Sequence, residues 1–261
     1  MHHWTDLFKE YPELFFDALQ ERAAQAKAEV NFLLKCLHKL RFKTQTVLDL
    51  NCGIGRHSIE LGKKGITVLG TDLSPHYIDV AKKRAQNEGA AKIVRFKVAD
   101  MRRIASSLRG QRFDGIINLF TSFGYYDDDT NNDILRQCAS LVRSKGFFAL
   151  EIMNRDWLVR NFQPKGFTRR KGLILLEDRK FDVETSRVQA TWTFLKQRSE
   201  KQFGLEKQVT IDTRVWSLHE LVETFKKKGW KFQAAYPGFG SQDKNVALTE
   251  AQRLLFIARK K

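Results

Sequence analysis

Three carboxylates in the first hundred positions stand beside residues suited to holding a ligand. Asp49 opens the run Asp49-Leu50-Asn51-Cys52-Gly53-Ile54-Gly55-Arg56-His57; Asp72 closes Gly70-Thr71-Asp72, and Asp100 closes Val98-Ala99-Asp100. Glycines at 53 and 55 let a backbone turn approach a ligand closely. An acid directly before that turn suits a ligand that carries positive charge or several donors. A carboxylate placed like Asp72 can accept both hydroxyls of a ribose, and one placed like Asp100 can accept an amino proton, such as adenine's. A lone glycine pair is weak, because structural turns use glycine too. Any one acid can simply cap a helix, and Asp100 is the readiest to be only that. Three in succession around one turn favour a binding site.

The elements around these residues supply the geometry. Residues 46–50 read as a short apolar strand, 57–64 as a helix closed by Gly65, and 66–71 as a second strand. Ser74 with Pro75 marks the next helix start, which runs to about Asn87. Strands follow at 93–98, 113–119 and 146–153, with a helix over 129–142 before the last. Apolar strands alternating with helices mean a parallel sheet covered on both faces. The three acids then share the rim where such sheets bind ligands. Residues 5–39 carry a helical apolar rhythm, with a break near Pro12. Segments 173–181, 188–195 and 208–215 break the alternation and read as antiparallel strands. Ser217 caps a helix to Lys228, and strands at 230–236 and 253–259 end the chain.

The 261 residues are 42% hydrophobic with 4 prolines, enough for a real core and against a disordered chain. No apolar run spans a bilayer and no signal peptide opens the chain, so a soluble cytoplasmic protein is expected. Cys36, Cys52 and Cys138 have no metal-ligand spacing, so no metal is expected. The net charge of +16 is spread along the chain. That favours solubility over a dedicated nucleic-acid groove. The runs Arg169-Arg170-Lys171 and Lys226-Lys227-Lys228 would be the contacts to RNA, and a solvated surface explains them more simply.

The order of these features resembles the class I S-adenosylmethionine-dependent methyltransferases, in a small-molecule and uncharacterised branch. Their first motif, an acid followed by alternating glycines, is matched at Asp49, Asn51, Gly53 and Gly55; Asn51 replaces the usual first glycine, and Asn tolerates left-handed backbone. The segment Asn118-Leu119-Phe120-Thr121-Ser122-Phe123-Gly124-Tyr125 and the tail from Trp216 are similar to that branch as well. The resemblance covers residues 46–153 specifically and 216–261 more loosely. It implies a Rossmann-like doubly wound α/β sheet of about seven strands, mostly parallel, with an inserted antiparallel sheet and N-terminal helices. The implied division is an N-terminal helical lid at 1–45, a cofactor-binding domain at 46–153 and 216–261, and an inserted sheet over the acceptor site at 154–215.

The implied cofactor is S-adenosylmethionine, with S-adenosylhomocysteine as product. Gly53 and Gly55 would face its methionine part, Asp49 its amino group, Asp72 the ribose and Asp100 the adenine. Leu73 and Met101 would sandwich the adenine ring, with Leu119 and Phe120 beside them. A nicotinamide cofactor fits less well, since its fingerprint wants a third glycine where Ser58 stands. The acceptor is expected to be a small molecule methylated at nitrogen or oxygen. Tyr125 is the candidate for acceptor contact or catalysis, with Asn154, Arg155 and Trp157 lining the acceptor cavity and Arg160 and Arg169 in reach of an acidic group. His57 is a candidate base whose pKa a helix start should depress. The alternatives are an RNA or protein methyltransferase and a non-catalytic cofactor-binding protein; a monomer or homodimer fits any of them.

Overall fold

The computed structural model describes residues 4–239 and 246–261; residues 1–3 of the expected lid lie outside it. In chain order the elements are α1 (Asp6–Lys9), α2 (Glu13–Ala23), α3 (Ala26–Lys39), β1 (Thr46–Leu50), α4 (Arg56–Gly62), β2 (Thr67–Asp72), α5 (Pro75–Asn87), β3 (Val94–Val98), α6 (Ile104–Ser107), β4 (Phe113–Asn118), α7 (Asp128–Leu141) and β5 (Val142–Met153). After these come α8 (Arg155–Arg160), β6 (Lys165–Arg170), β7 (Leu173–Asp182), β8 (Arg187–Ser199), β9 (Gln202–Arg214), α9 (Leu218–Lys227), β10 (Trp230–Pro237) and β11 (Arg253–Lys260). Local chemistry sets several boundaries. Ser74 accepts the Tyr77 N–H with Pro75 at the first helical position, Asp127 accepts the Thr130 N–H, and Ser217 with Glu220 forms a reciprocal capping box.

The main sheet has seven strands in the order β10-β11-β5-β4-β1-β2-β3. All neighbours pair in parallel except β11, which runs antiparallel to both β5 and β10. The chain moves outward from β1 to β3 and then returns to β4 on the other side of β1. This reversal opens a crevice at the carboxyl ends of β1 and β4, where open α/β sheets bind ligands. Successive strand residues face opposite ways, so both faces are buried. Leu48, Leu50, Ile116, Phe148 and Leu150 pack with Ile134, Leu135 and Phe225; Val47, Val68, Ile117 and Ala149 pack with Val30, Leu33, Leu37 and Ile59.

The inserted sheet is a four-stranded antiparallel meander, β6-β7-β8-β9. It has one strand more than the sequence pattern predicts: β6, whose residues alternate exposed and half-buried, carries too few apolar residues to register. Its inner face packs on the N-terminal helices through Leu7, Leu14, Leu175, Phe194, Val209 and Ile211. The other side of α2 meets the glycine turn, where Leu19 packs with Ile54 and Tyr77. The N-terminal helices thus sit between the two sheets. Residues 5–39 form three helices, with breaks near Pro12, as the sequence predicts, and at residues 24–25. No helix among the described residues is long and apolar enough to cross a membrane. Cys36, Cys52 and Cys138 are free and buried.

Candidate functional site

A cavity of about 660 Å³ lies where the rim of the main sheet, the N-terminal helices and the inserted sheet meet. Its floor is the turn after β1. Asn51, Gly53 and Gly55 all adopt positive φ, at 61°, 54° and 74°, which explains two glycines and an asparagine in five residues. Gly55 has a second reason: a Cβ there would stand 2.7 Å from the Phe96 ring, whereas at Gly53 it would meet only Leu19, at 3.7 Å. Gly53 lines the cavity and Gly55 does not. Asn51 Nδ2 donates to the Ser122 carbonyl at 3.0 Å and approaches Met101 Sδ at 3.2 Å, tying the turn to the segment after β4.

The three acids hold different positions. Asp49 is buried, accepts the Ser58 hydroxyl at 2.6 Å and is pushed up to about 7 by burial, with Asp72 adding to the shift. Asp72 takes one backbone N–H on each oxygen, from Gly53 at 2.8 Å and Ser74 at 2.9 Å; burial raises its pKa. It therefore braces the glycine turn against β2 while facing the cavity. Asp100 caps the turn beginning at Met101 and binds Arg102 through both oxygens, at 2.6–3.1 Å. It lines the cavity too, beside Leu73, Met101 and Leu119.

Past β4 the backbone is strained. Phe120 and Thr121 both have positive φ, at 62° and 57°, unfavourable for an aromatic and a β-branched residue. The buried Glu151 holds them there, its side chain accepting the Phe120 N–H at 2.8 Å and its carbonyl the Thr121 N–H at 3.2 Å. Tyr125 lines the cavity, stacked on Trp4 with centroids 4.6 Å apart, and burial pushes its hydroxyl up to about 12. Overhead, Trp192 of β8 stacks on Phe15 at 5.7 Å, and its buried Nε1 has no partner.

His57 is in the cavity wall, but its Nε2 is bound to Glu29 at 2.7 Å. Its pKa is lowered to about 4, first by burial and then by Arg56, in the direction the sequence suggested. Glu29 also binds Arg56, fastening α3 to α4. Sequence reasoning passed over Glu29. The available signal was a charged residue on the apolar face that Ala26, Val30, Leu33 and Leu37 form on α3.

Of the residues expected around the acceptor, only some reach the cavity wall. Trp157 lines the cavity, whereas Asn154 and Arg155 do not. Asn154 is buried behind it, donating to the Leu248 and Ala251 carbonyls and accepting from Asp156 N–H. Arg155 donates to Ser186 Oγ at 2.7 Å and lies over Phe181. Arg169 points outward over Phe203, and the next residue, Arg170, faces the cavity with Glu177 and Arg179. Arg160 bonds back to its own helix. His219 is exposed on α9, where Ser217 supplies the cap. No cluster among the described residues could hold a metal ion.

Residues 47–146 match the family model described as a methyltransferase domain. The ubiquinone biosynthesis O-methyltransferase of Cereibacter sphaeroides is 30% identical over 136 residues, covering 49% of this chain and 53% of that protein. The glycine/sarcosine N-methyltransferase of Parasynechococcus marenigrum is 30% identical over 160 residues, covering 59% and 55%. The matched stretch spans about half the length of these curated relatives. A crystal structure of an S-adenosylmethionine-dependent methyltransferase from Clostridium acetobutylicum superposes with a TM-score of 0.75 at 15% identity, covering 94% of this chain and 97% of that one, a likeness of fold.

Proposed function

We propose that the chain, whose residues 47–146 match a methyltransferase domain, is a class I S-adenosylmethionine-dependent methyltransferase that moves a methyl group from that cofactor to a nitrogen or oxygen of a small-molecule acceptor. The observation that carries the reading is the single cavity wall on which Asp49, Asn51, Gly53, Asp72 and Met101 meet, continuous with a space roofed by the inserted sheet. Its volume suits a cofactor with a small acceptor.

The residues fit the cofactor part by part. Each Asp72 oxygen accepts one backbone N–H and keeps acceptor capacity for a ribose hydroxyl. Leu73, Met101 and Leu119 offer apolar surface for the adenine. Asp100 has spent both oxygens on Arg102, so its adenine contact would be shared with that guanidinium. Asp49 stands ready to accept the amino group of the methionine part. Held by Asp49, Asn51, Gly53 and Asp72, the cofactor would supply an activated methyl group on a sulfonium as the electrophile for the acceptor's nitrogen or oxygen.

The protein's task is then positioning and exclusion of water. Trp4, Phe8, Phe15 and Trp192 wall the acceptor half, and Tyr125, neutral at ordinary pH, is a hydrogen-bond donor at its edge. We assign Tyr125 to acceptor contact. His57, locked on Glu29, positions α4. The two sequence relatives are named for an oxygen and a nitrogen acceptor, in keeping with a small-molecule substrate. The +16 charge favours a second reading, an RNA acceptor, since Arg169, Lys171, Lys226 and Lys227 are exposed.

The test offers S-adenosylmethionine with pools of small amines, phenols and tRNA, and follows S-adenosylhomocysteine release with mass spectra of the acceptors. Methylation of a small molecule is expected. Turnover on tRNA alone, weakening steeply with salt, would replace it with the RNA reading. Cofactor binding without any turnover would point to a non-catalytic binding protein.

A further inference from the structure

Five aromatic rings run in contact along the acceptor half of the cavity. Tyr125, at the rim after β4, stacks on Trp4 at 4.6 Å; Trp4 meets Phe8 edge-on at 6.1 Å, Phe8 meets Phe15 edge-on at 6.0 Å, and Phe15 stacks on Trp192 of β8 at 5.7 Å. The inner face of the roof around Trp192 is mostly apolar, with Leu175, Ala190, Val209 and Ile211 buried. One charged pair breaks it. Glu177 stands directly opposite Trp192 in the pairing of β7 with β8 and faces the cavity. Its side chain is 14% exposed and binds Arg179 Nη2 through Oε2 at 2.5 Å. Arg179 Nη1 in turn donates to the Gln163 carbonyl at 3.3 Å. Gly166, opposite Glu177 on β6, makes room for the pair: a Cβ there would stand 2.6 Å from Arg179 Nη2 and 2.7 Å from Glu177 Oε2.

An ion pair set in an apolar roof adds little to stability, since apolar residues of similar size hold such a face at least as well. Its position on the cavity wall suits it to a ligand instead. With Oε2 held by Arg179, Glu177 presents Oε1 as an acceptor. The indole beside it presents a donor: Trp192 lines the cavity, and its Nε1 is buried with no partner among the described residues. A buried donor left unpaired costs free energy that a ligand oxygen would recover. Side chains directly opposite on neighbouring strands stand close enough for one small group to touch both. That group must donate to the carboxylate and accept from the indole. A hydroxyl does both. A carboxylate or phosphate would meet Glu177 as a like charge, and an ammonium would leave Nε1 unpaired.

We infer that Glu177 and Trp192 anchor the acceptor through a hydroxyl group, and that the acceptor is a phenol. Its ring lies along the aromatic wall, and its hydroxyl donates to Glu177 Oε1 while accepting from Trp192 Nε1. This rests on the small-molecule reading above. Arg179 and Gly166 hold the carboxylate in place. Trp192 serves twice, its ring closing the wall against Phe15 and its N–H reading the hydroxyl. Tyr125 marks the other end of the wall, so the anchor stands away from the cofactor rim.

Calorimetric titration of the whole chain, saturated with S-adenosylhomocysteine, tests this with two matched pairs: tyramine against phenethylamine, and tyrosol against phenethyl alcohol. Within each pair the ligands differ only in the ring hydroxyl. The wild type is expected to bind the hydroxylated member of each pair about tenfold more tightly. Trp192→Phe keeps a ring against Phe15 and removes the donor, so that preference should shrink at least about threefold; unchanged affinity for S-adenosylhomocysteine shows that the variant is folded. Equal affinities within either pair would overturn the hydroxyl anchor, and failure of all four ligands to bind would overturn the phenolic class; both outcomes leave the small-molecule reading to the acceptor pools. A preference that Trp192→Phe leaves intact would overturn the role of Trp192. Failure of S-adenosylhomocysteine to bind the wild type would sink the cofactor reading itself.

Discussion

Replacing Asp72 with alanine should do two separable kinds of damage. The first is structural. Asp72 accepts the Gly53 and Ser74 backbone N–H groups at 2.8 and 2.9 Å, so alanine frees two donors in and beside the glycine turn. An unsatisfied buried donor costs about 1–3 kcal/mol, and water entering from the cavity would recover part of that, leaving roughly 2–4 kcal/mol of lost stability. The second is functional. A ribose contact to a charged acceptor is worth about 1.5–3 kcal/mol, which is roughly a ten- to 150-fold loss of affinity. Urea unfolding reads the first and calorimetric titration with S-adenosylhomocysteine the second. Asp72→Asn should fall between, since one amide oxygen still accepts while the amide nitrogen faces a donor. A folded Asp72→Ala protein with unchanged affinity would refute the ribose assignment; unchanged stability would refute the bracing role.

Two further outcomes follow from the buried charges. Burial pushes Asp49 up to about 7, and only its ionised form attracts an ammonium group. Cofactor affinity should therefore fall as pH drops below about 7, by up to about tenfold per unit, and Asp49→Asn should flatten the profile; titration with S-adenosylhomocysteine between about pH 5.5 and 8.5 checks this, and an Asp49-independent profile counts against the assignment. Glu29→Gln removes the carboxylate from buried Arg56 and His57, so unfolding free energy should drop by about 3–5 kcal/mol. A change within experimental error would mean that Arg56 finds other partners.

The parts of the site legible in the sequence were those set by local chemistry. Asp49 to Gly55 announces itself because a tight turn between strand and helix demands small residues in order. Ser74-Pro75 and Ser217-Glu220 announce helix starts for a similar reason. The acceptor half was harder. Whether Arg169 or Arg170 faces the cavity depends on strand parity, and parity is fixed by the pairing of β6 with β7, which composition does not reveal. Asn154 follows a rim strand and looks exposed in sequence, yet the carbonyls of Leu248 and Ala251, nearly a hundred residues later, bury it. Glu29 meets Arg56 from 27 residues away and Glu151 reaches the Phe120 N–H from 31 residues away, so no local pattern announces either contact.

The central claim is the cofactor, and calorimetric titration with S-adenosylmethionine, S-adenosylhomocysteine and NAD tests it most directly. The expected result is about micromolar binding of the first two with NAD silent, in the affinity range of roughly −8 kcal/mol. Binding of NAD alone would contradict the claim and leave only the fold standing.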